Sequence, residues 1–237
     1  MRLDKYLVEM DYFQSRNRAL EAIKSGIVKV DGKKPKPSTP ITNDSVVEVE
    51  EFKFYVSRAA KKLEGFLDGY NLSLQGKIAL DIGSSTGGFV QILLENGIKE
   101  IDCVDVGDNQ LHISLRNDSR VNLYENTDIR EFDSSKDYDV ISCDVSFISI
   151  LQIIDAIDNL ASSGCDILIL YKPQFEVGKE TKRDSKGVVQ DIDAITKAKQ
   201  RFEAKAKELG WVQKSNKLSS LKGKEGNQEY MYHFQKL

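Results

Sequence analysis

The sequence predicts an α/β protein: a mostly parallel sheet with helices on both faces, two antiparallel strands at its end, and a small α+β unit in front. Three observations predict it. Strand-length apolar runs alternate with helical periodicity from residue 76 onward. The last two strand-like runs are joined by a loop with no helix between them. The first 50 residues carry their own helix–helix–strand pattern and three of the chain's four prolines.

Residues 1–50 form the small unit. Leu3, Leu7 and Met10 recur at helical spacing. Ser15 is placed to cap a second helix, with Ala19, Ala22 and Ile23 on one face and Gly26 as its stop. Ile27 to Val30 alternate as a strand, and Asp31-Gly32 is a strong hairpin turn. Val46 to Glu50 closes the unit as another strand, after a non-helical crossing marked by Pro35, Pro37 and Pro40. Residues 51–75 are a linker and the first helix of the next domain. Ser57 is the expected cap, and Leu63, Phe66, Leu67 and Tyr70 form an apolar face. Residues 76–237 then alternate. Strands are expected at 78–82, 101–105, 121–124, 139–144 and 167–171, and helices at 87–96, 108–117, 148–160 and 191–209. Val212 to Lys217 and Tyr230 to Gln235 give the terminal hairpin. This is a Rossmann-like pattern. Its ligands are expected at the carboxyl ends of the strands, where residues 172–190 form the longest polar loop.

Composition narrows the class. A chain of 237 residues, 40% hydrophobic and 30% charged, is globular rather than disordered. The longest aliphatic run, Ile167 to Tyr171, is far too short to cross a bilayer. The N-terminus carries acids and no apolar core, so no signal peptide and a cytoplasmic location are expected. Cys103, Cys143 and Cys165 read as free thiols packed as small hydrophobes. His112 and His233 have no Cys or His neighbour at ligand spacing, so no metal is expected. The net charge of −3 hides an asymmetry. Residues 100–144 hold twelve acids against four bases, which leaves the remainder of the chain basic by five. A basic footprint for nucleic acid is compatible with an acidic total.

Residues 81–89, DIGSSTGGF, follow a strand and open a helix. Gly83 permits a sharp turn, and Gly87 and Gly88 are expected to let backbone approach a ligand closely. The turn is neither GxGxxG nor a phosphate loop ending in GK[ST], which disfavours nucleoside triphosphates. Asp105, at the next strand end, is suited to accept both hydroxyls of a ribose. Asp128, after the third strand, is suited to receive an adenine amino group. A dinucleotide competes, but the short glycine turn better suits S-adenosylmethionine. The candidate cofactor set is Asp81, Gly83, Ser84, Ser85, Thr86, Gly87, Gly88, Phe89, Asp105, Asp128 and Asp144.

Asp144 and Lys172 end the fourth and fifth predicted strands, and neighbouring strand ends of a parallel sheet converge on one crevice. Lys62 or Lys61 lies on the helix before the sheet, and Glu229 begins the last strand. Two lysines and two carboxylates have a chemical logic for a sugar hydroxyl, which is a poor nucleophile at neutral pH. A lysine that is partly desolvated and near another cation is a poised base. Alignment of the reacting atoms supplies much of the remaining acceleration.

With these residues identified, the chain resembles the TlyA-type rRNA methyltransferases, a family also called haemolysins. The matching segments are YVSRAAKKL, LDIGSSTGGF, VDVGDNQL, CDVSFISI, KPQFEVG, KGVVQD and GNQEY, in the family's order over nearly the whole chain. Residues 1–50 resemble the alpha-L RNA-binding module, and the rest resembles the FtsJ-like S-adenosylmethionine-dependent methyltransferase fold. The resemblance implies a Lys-Asp-Lys-Glu tetrad at Lys62, Asp144, Lys172 and Glu229. Lys172 would be the base, Asp144 and Lys62 would steer, and Glu229 would position. It implies methyl transfer from S-adenosylmethionine to the ribose 2′-oxygen of cytidine in ribosomal RNA, with the large subunit as target in chains this short. SRAA stands where the family commonly has SRGG, and GSST where it has GAST.

The expected RNA contacts are Arg2, Lys5, Arg16, Arg18 and Lys24 on the two short helices, Lys34 beyond the hairpin turn, and Arg58 on the helix before the sheet. Residues 1–50 contain nine bases and eight acids, so affinity has to come from placement rather than net charge. Two other readings compete. A non-catalytic RNA-binding or ribosome-assembly factor would not need the tetrad. A membrane-active haemolysin would need an inserting segment, and none is visible.

Overall fold

A computed structural model describes residues 1–13, 15–50 and 53–237. The chain divides into two compact units, Met1–Phe54 and Tyr55–Leu237.

In the first unit, helix α1 (Leu3–Glu9) and helix α2 (Arg16–Ser25) precede strands β1 (Val28–Val30) and β2 (Val47–Val49). Ser15 Oγ accepts from Arg18 N at 3.4 Å, and Gly26 ends α2 at φ +88°. Leu3, Leu7, Ala22, Ile23, Val28 and Ile41 pack into the unit's own core, whereas Met10 is exposed. The Asp31-Gly32 turn forms, with both residues at positive φ. It builds no strand pair beyond the isolated bridge of Val30 to Lys33. The partner of β1 is β2, in antiparallel register Val28↔Val49. The expected hairpin is therefore a local turn followed by a long return. The chain after Lys34 is rich in prolines, which lack the N–H a ladder requires.

The second unit opens with helix α3 (Arg58–Leu67), then β3 (Ile78–Ile82), α4 (Gly88–Glu95), β4 (Glu100–Val104), α5 (Ile113–Arg116), β5 (Val121–Tyr124) and β6 (Tyr138–Cys143). A 3-10 turn over Ile150–Gln152 leads to α6 (Ile154–Leu160), β7 (Ala161–Tyr171), α7 (Pro173–Glu176), α8 (Ile192–Glu208), β8 (Trp211–Leu218) and β9 (Tyr230–Lys236). Residues 55–75, with the expected first helix, fall in this unit. The start of the expected linker, residues 51 and 52, lies outside the described residues.

The seven strands run β5-β4-β3-β6-β7-β9-β8. β9 alone is reversed, antiparallel to both β7 and β8. The terminal pair forms the expected antiparallel hairpin at the edge of the sheet. β9 inserts beside β7 and leaves β8 outermost. The order reverses between β3 and β6, which opens a crevice at their carboxyl ends.

Three elements differ from expectation. The helix expected at 108–117 shrinks to one turn, because Gly107 N donates back to Asp105 Oδ1 and Asn109 takes positive φ. The helix expected at 148–160 breaks at Ile153, because Glu176 accepts from Ile150 N and Ser149 Oγ and draws the first turn away. β7 starts at Ala161, well before residue 167.

The sheet is buried on both sides. Leu80, Ile141, Ile167, Tyr171 and Phe234 pack with Phe202 of α8 on one face. Ala79, Val140, Leu168 and Met231 pack with α3 and α4 on the other. Successive strand residues point to opposite faces, so near-continuous apolar runs serve both layers.

Candidate active site

The glycine turn shows what each of its residues does. Gly83 takes φ +78°, and an added Cβ would lie 3.0 Å from Val145 Cγ1. Ser85 N donates to Asp105 Oδ2 at 2.7 Å, which ties the turn to the end of β4. Gly87 and Gly88 leave no room for a side chain. A Cβ on Gly88 would meet Ala59 Cβ and Ala60 N at 2.8 Å, and one on Gly87 would meet Leu111 and Leu115. Both glycines serve close packing of α4. Phe89 packs in the core with α3, Ser84 is buried and Thr86 is exposed.

Asp81 lies beneath the turn, 1% exposed. It accepts from Ser142 Oγ at 2.5 Å. Burial pushes its carboxyl up to about 7, against the pull of the Ser142 and Ser84 hydroxyls. It supports the turn from below.

A pocket of about 350 Å³ fills the crevice at the switch point. Of the expected cofactor residues, Gly83, Ser85, Asp105, Asp128 and Asp144 line it, while Asp81, Ser84, Thr86, Gly87, Gly88 and Phe89 do not. Val106, Ile129 and Ile148 add apolar walls. Asp105 already accepts from two backbone N–H groups, and a carboxylate retains lone pairs beyond those two. Asp128 is clasped by Arg130, with Nε to Oδ1 at 2.9 Å and NH2 to Oδ2 at 2.5 Å. That clasp holds its carboxyl down to about 2.

Four charged side chains meet beside this pocket. Lys172 Nζ stands 2.6 Å from Asp144 Oδ1 and donates to Ser146 Oγ at 2.9 Å. Lys62 Nζ donates to Glu229 Oε2 at 2.5 Å. Lys62 and Lys172 are each 8% exposed and Glu229 is 2% exposed. Burial raises the Asp144 carboxyl, and the charges of Lys172 and then Lys62 oppose that rise. The choice between Lys61 and Lys62 is resolved by α3. Lys62 points inward, and Lys61 is exposed with its ammonium 5.1 Å from the Tyr55 ring.

Sequence reasoning missed Ser146, Phe147 and Gln174 as members of this site. Gln174 Nε2 donates to Glu229 Oε1 at 3.2 Å. Phe147 is 92% exposed at φ +67°, its ring 5.2 Å from that of Phe175. The available signal was position, since Ser146 and Phe147 follow the end of β6 and Gln174 lies in the short helix just after β7.

The expected RNA-contacting bases divide. Arg2 and Arg16 both bond the buried Asp4, Arg2 through Nε at 3.0 Å and Arg16 through NH2 at 2.7 Å. Arg18 covers the Phe54 ring at 3.5 Å. Lys5, Lys24 and Lys34 are exposed. Arg58 belongs to the larger unit and donates to Lys222 O at 2.9 Å.

A seven-stranded sheet with one reversed strand, a pocket at its switch point and a lysine–carboxylate cluster beside that pocket define a Rossmann-like methyltransferase. Comparison with known proteins specifies it further. The FtsJ-like methyltransferase family matches residues 55–236, and the S4 domain matches residues 1–47. The chain is 47% identical to the 23S rRNA (cytidine-2′-O)-methyltransferase TlyA of Campylobacter jejuni, over 93% of this chain and 94% of that protein. It is 38% identical to the 16S/23S rRNA (cytidine-2′-O)-methyltransferase TlyA of Mycobacterium tuberculosis, over 97% of this chain and 87% of that one. A solved structure of a provisionally named hemolysin from Streptococcus thermophilus superposes with a TM-score of 0.72 at 34% identity, covering 100% of this chain and 88% of that one. The chain belongs to the TlyA-type, FtsJ-like methyltransferases. Among the described residues, no helix is long and apolar enough to cross a membrane, and no cluster of three or more His, Cys, Asp or Glu side chains is arranged to hold a metal.

Proposed function

We propose that this protein methylates the ribose 2′-oxygen of a cytidine in ribosomal RNA, in the cytoplasm, with S-adenosylmethionine as donor and the large subunit as target. The observation that carries the reading is the convergence of Lys172–Asp144 and Lys62–Glu229 on one side of the switch-point pocket. The cofactor fits the pocket's chemistry. Asp105 has lone pairs to spare for two ribose hydroxyls, Asp128 is held ionised to accept an amine, and Val106, Ile129 and Ile148 offer flat apolar surface to a base. When bound, it supplies a sulfonium methyl group for in-line transfer to oxygen.

The chain's own residues do the rest. Lys172 Nζ takes the proton of the 2′-hydroxyl as the new O–C bond forms. Asp144 and Ser146 fix that amine from two sides. Lys62 is held by Glu229, which keeps a cation near the oxygen as its negative charge develops. Phe147 presents an exposed aromatic face beside Ser146, suited to stacking on a nucleobase. The S4 match over residues 1–47 and the exposed Lys5, Lys24 and Lys34 support contacts to RNA phosphates. A large-subunit target is supported by the name of the 47% identical relative.

Labelled methyl transfer to ribosomal subunits from a strain lacking the enzyme, followed by mapping of the modified nucleotide, tests the reading. Lys172→Ala should abolish transfer and leave cofactor affinity within about twofold, since proton transfer is a chemical-step contribution of roughly 100-fold or more. Equal activity in the variant would remove Lys172 as the base, and no transfer by wild-type protein would favour a non-catalytic RNA-binding factor.

A further inference from the structure

Gln174 spends its side chain on one partner, the Glu229 carboxylate. It sits in the four-residue α7, two positions after Lys172, and its amide is oriented by chemistry. Nε2 donates to Glu229 Oε1 at 3.2 Å. The opposite orientation would set oxygen against a carboxylate that only accepts. This choice leaves Gln174 Oε1 buried with no partner. A glutamine kept for the architecture would satisfy both ends of its amide; this one gives up its carbonyl in order to donate to Glu229.

The surroundings serve the same carboxylate. Arg183 NH2 donates to Gln174 O at 3.0 Å, which pins α7 to the loop that follows it. Val189 N donates to Asn227 Oδ1 at 3.0 Å, and Gly223 N donates to Asn227 O at 2.8 Å, so that loop is tied to the turn before β9. That turn brings Gly223 against Glu229. A Cβ there would lie 2.6 Å from Oε1 and 3.3 Å from Cδ. Glu229 is therefore held by an amide on one side, by bare backbone on another, and faces Lys62 with its second oxygen.

We infer that Gln174 is a positioning residue for the methyl-transfer site: it fixes the Glu229 carboxylate on Lys62, in a slot that Gly223 keeps open. The inference rests on the proposed function, because Lys62 and Glu229 matter only if they serve the transfer. It assigns a task to Gln174 and Gly223, which lie outside the charged tetrad, and to the 182–190 segment that braces them.

Single-turnover methyl transfer to large ribosomal subunits tests it, with Gln174→Met, Gln174→Glu and Gly223→Ala. Gln174→Met should lower the transfer rate roughly 10- to 100-fold at every pH, with the KM for subunits and the affinity for S-adenosylmethionine within about twofold of wild type. Gly223→Ala, which adds no chemistry, should show the same split. Gln174→Glu sets two carboxylates at hydrogen-bond distance, which share a proton until a raised apparent pKa is passed. Below that point the shared proton stands in for the amide, and transfer approaches wild type. Above it the two charges repel, and the rate falls along an alkaline limb that wild type lacks.

A Gln174→Met rate within about twofold of wild type overturns the inference, as does a Gln174→Glu profile of wild-type shape. Loss of cofactor affinity in both Gln174→Met and Gly223→Ala also overturns it, since these residues would then be structural. If wild-type protein transfers no methyl group to any subunit, it is the substrate reading that fails; if wild type is active and the variants match it, only the role of Gln174 falls.

Discussion

Asp81 offers a quantitative check on how the cofactor turn is supported. Its carboxyl is 1% exposed, bonded by Ser142 Oγ, and raised by burial from 3.8 to about 7. A carboxyl raised in the folded state binds a proton more tightly there than in the unfolded chain. Its contribution to stability is fully present below about pH 4 and is lost as pH rises toward 7. A span of about three pH units at about 1.36 kcal/mol each gives on the order of 4 kcal/mol across that window. Asp81→Asn keeps an acceptor for Ser142 Oγ and cannot ionise. Urea unfolding of both proteins from pH 4.5 to 8.5 isolates this one group, because every other titrating side chain is common to the pair. Wild type should lose several kcal/mol relative to the variant as pH rises, with the difference levelling off above about pH 7. A difference that stays constant over the range, or that grows in favour of wild type, would refute the argument and mean that Asp81 is ionised in the folded protein at ordinary acid pH.

Three further outcomes follow from other contacts. Gly88→Ala forces a methyl group against Ala59 Cβ and Ala60 N, where 2.8 Å is available, and should cost about 1–3 kcal/mol of stability; an unchanged urea midpoint would contradict tight α3–α4 packing. Phe147→Ala removes a ring that is 92% exposed, so stability should hold while the KM for subunits rises roughly tenfold or more through lost base stacking; an unaltered KM would remove Phe147 from the RNA path. Asp4, drawn down to about 2 chiefly by Arg2 and also by Arg16, stabilises the first unit above its unfolded value of 3.8. Amide exchange in residues 1–50 of Asp4→Asn should therefore speed up at pH 6, and equal exchange rates in the two proteins would count against the Asp4 cluster.

Local sequence signals were strong wherever a residue's environment is set by its chain neighbours. Ser15 and Gly26 bracket α2, and β3 and β5 fall at the residues that periodicity marks, because caps and strand alternation depend on spacing alone. The positions of Asp105, Asp128, Asp144 and Lys172 at strand ends were legible for the same reason. What lay beyond the sequence depended on partners far along the chain. The Asp31-Gly32 turn looked like a hairpin, but β1 pairs with β2, because proline-bearing chain cannot supply the ladder. The antiparallel hairpin of the last two strands was legible, but not that β9 rather than β8 pairs with β7, where its buried Met231, Tyr232 and Phe234 gain a layer on each face.

The double glycine shows the same division. Its presence was plain in the sequence, yet the close packing it permits is set by Ser57, Ala59, Ala60, Leu111 and Leu115, which only folding brings near. The sequence by itself determined the order of elements, the glycine turn and the identities of the charged side chains, since these follow from periodicity and residue chemistry. The tertiary structure alone chose Lys62 over Lys61, aimed Gln174 at Glu229, and sank Asp81 out of the pocket. Those outcomes turn on distances between residues as many as 167 positions apart, and spacing along a chain does not encode them.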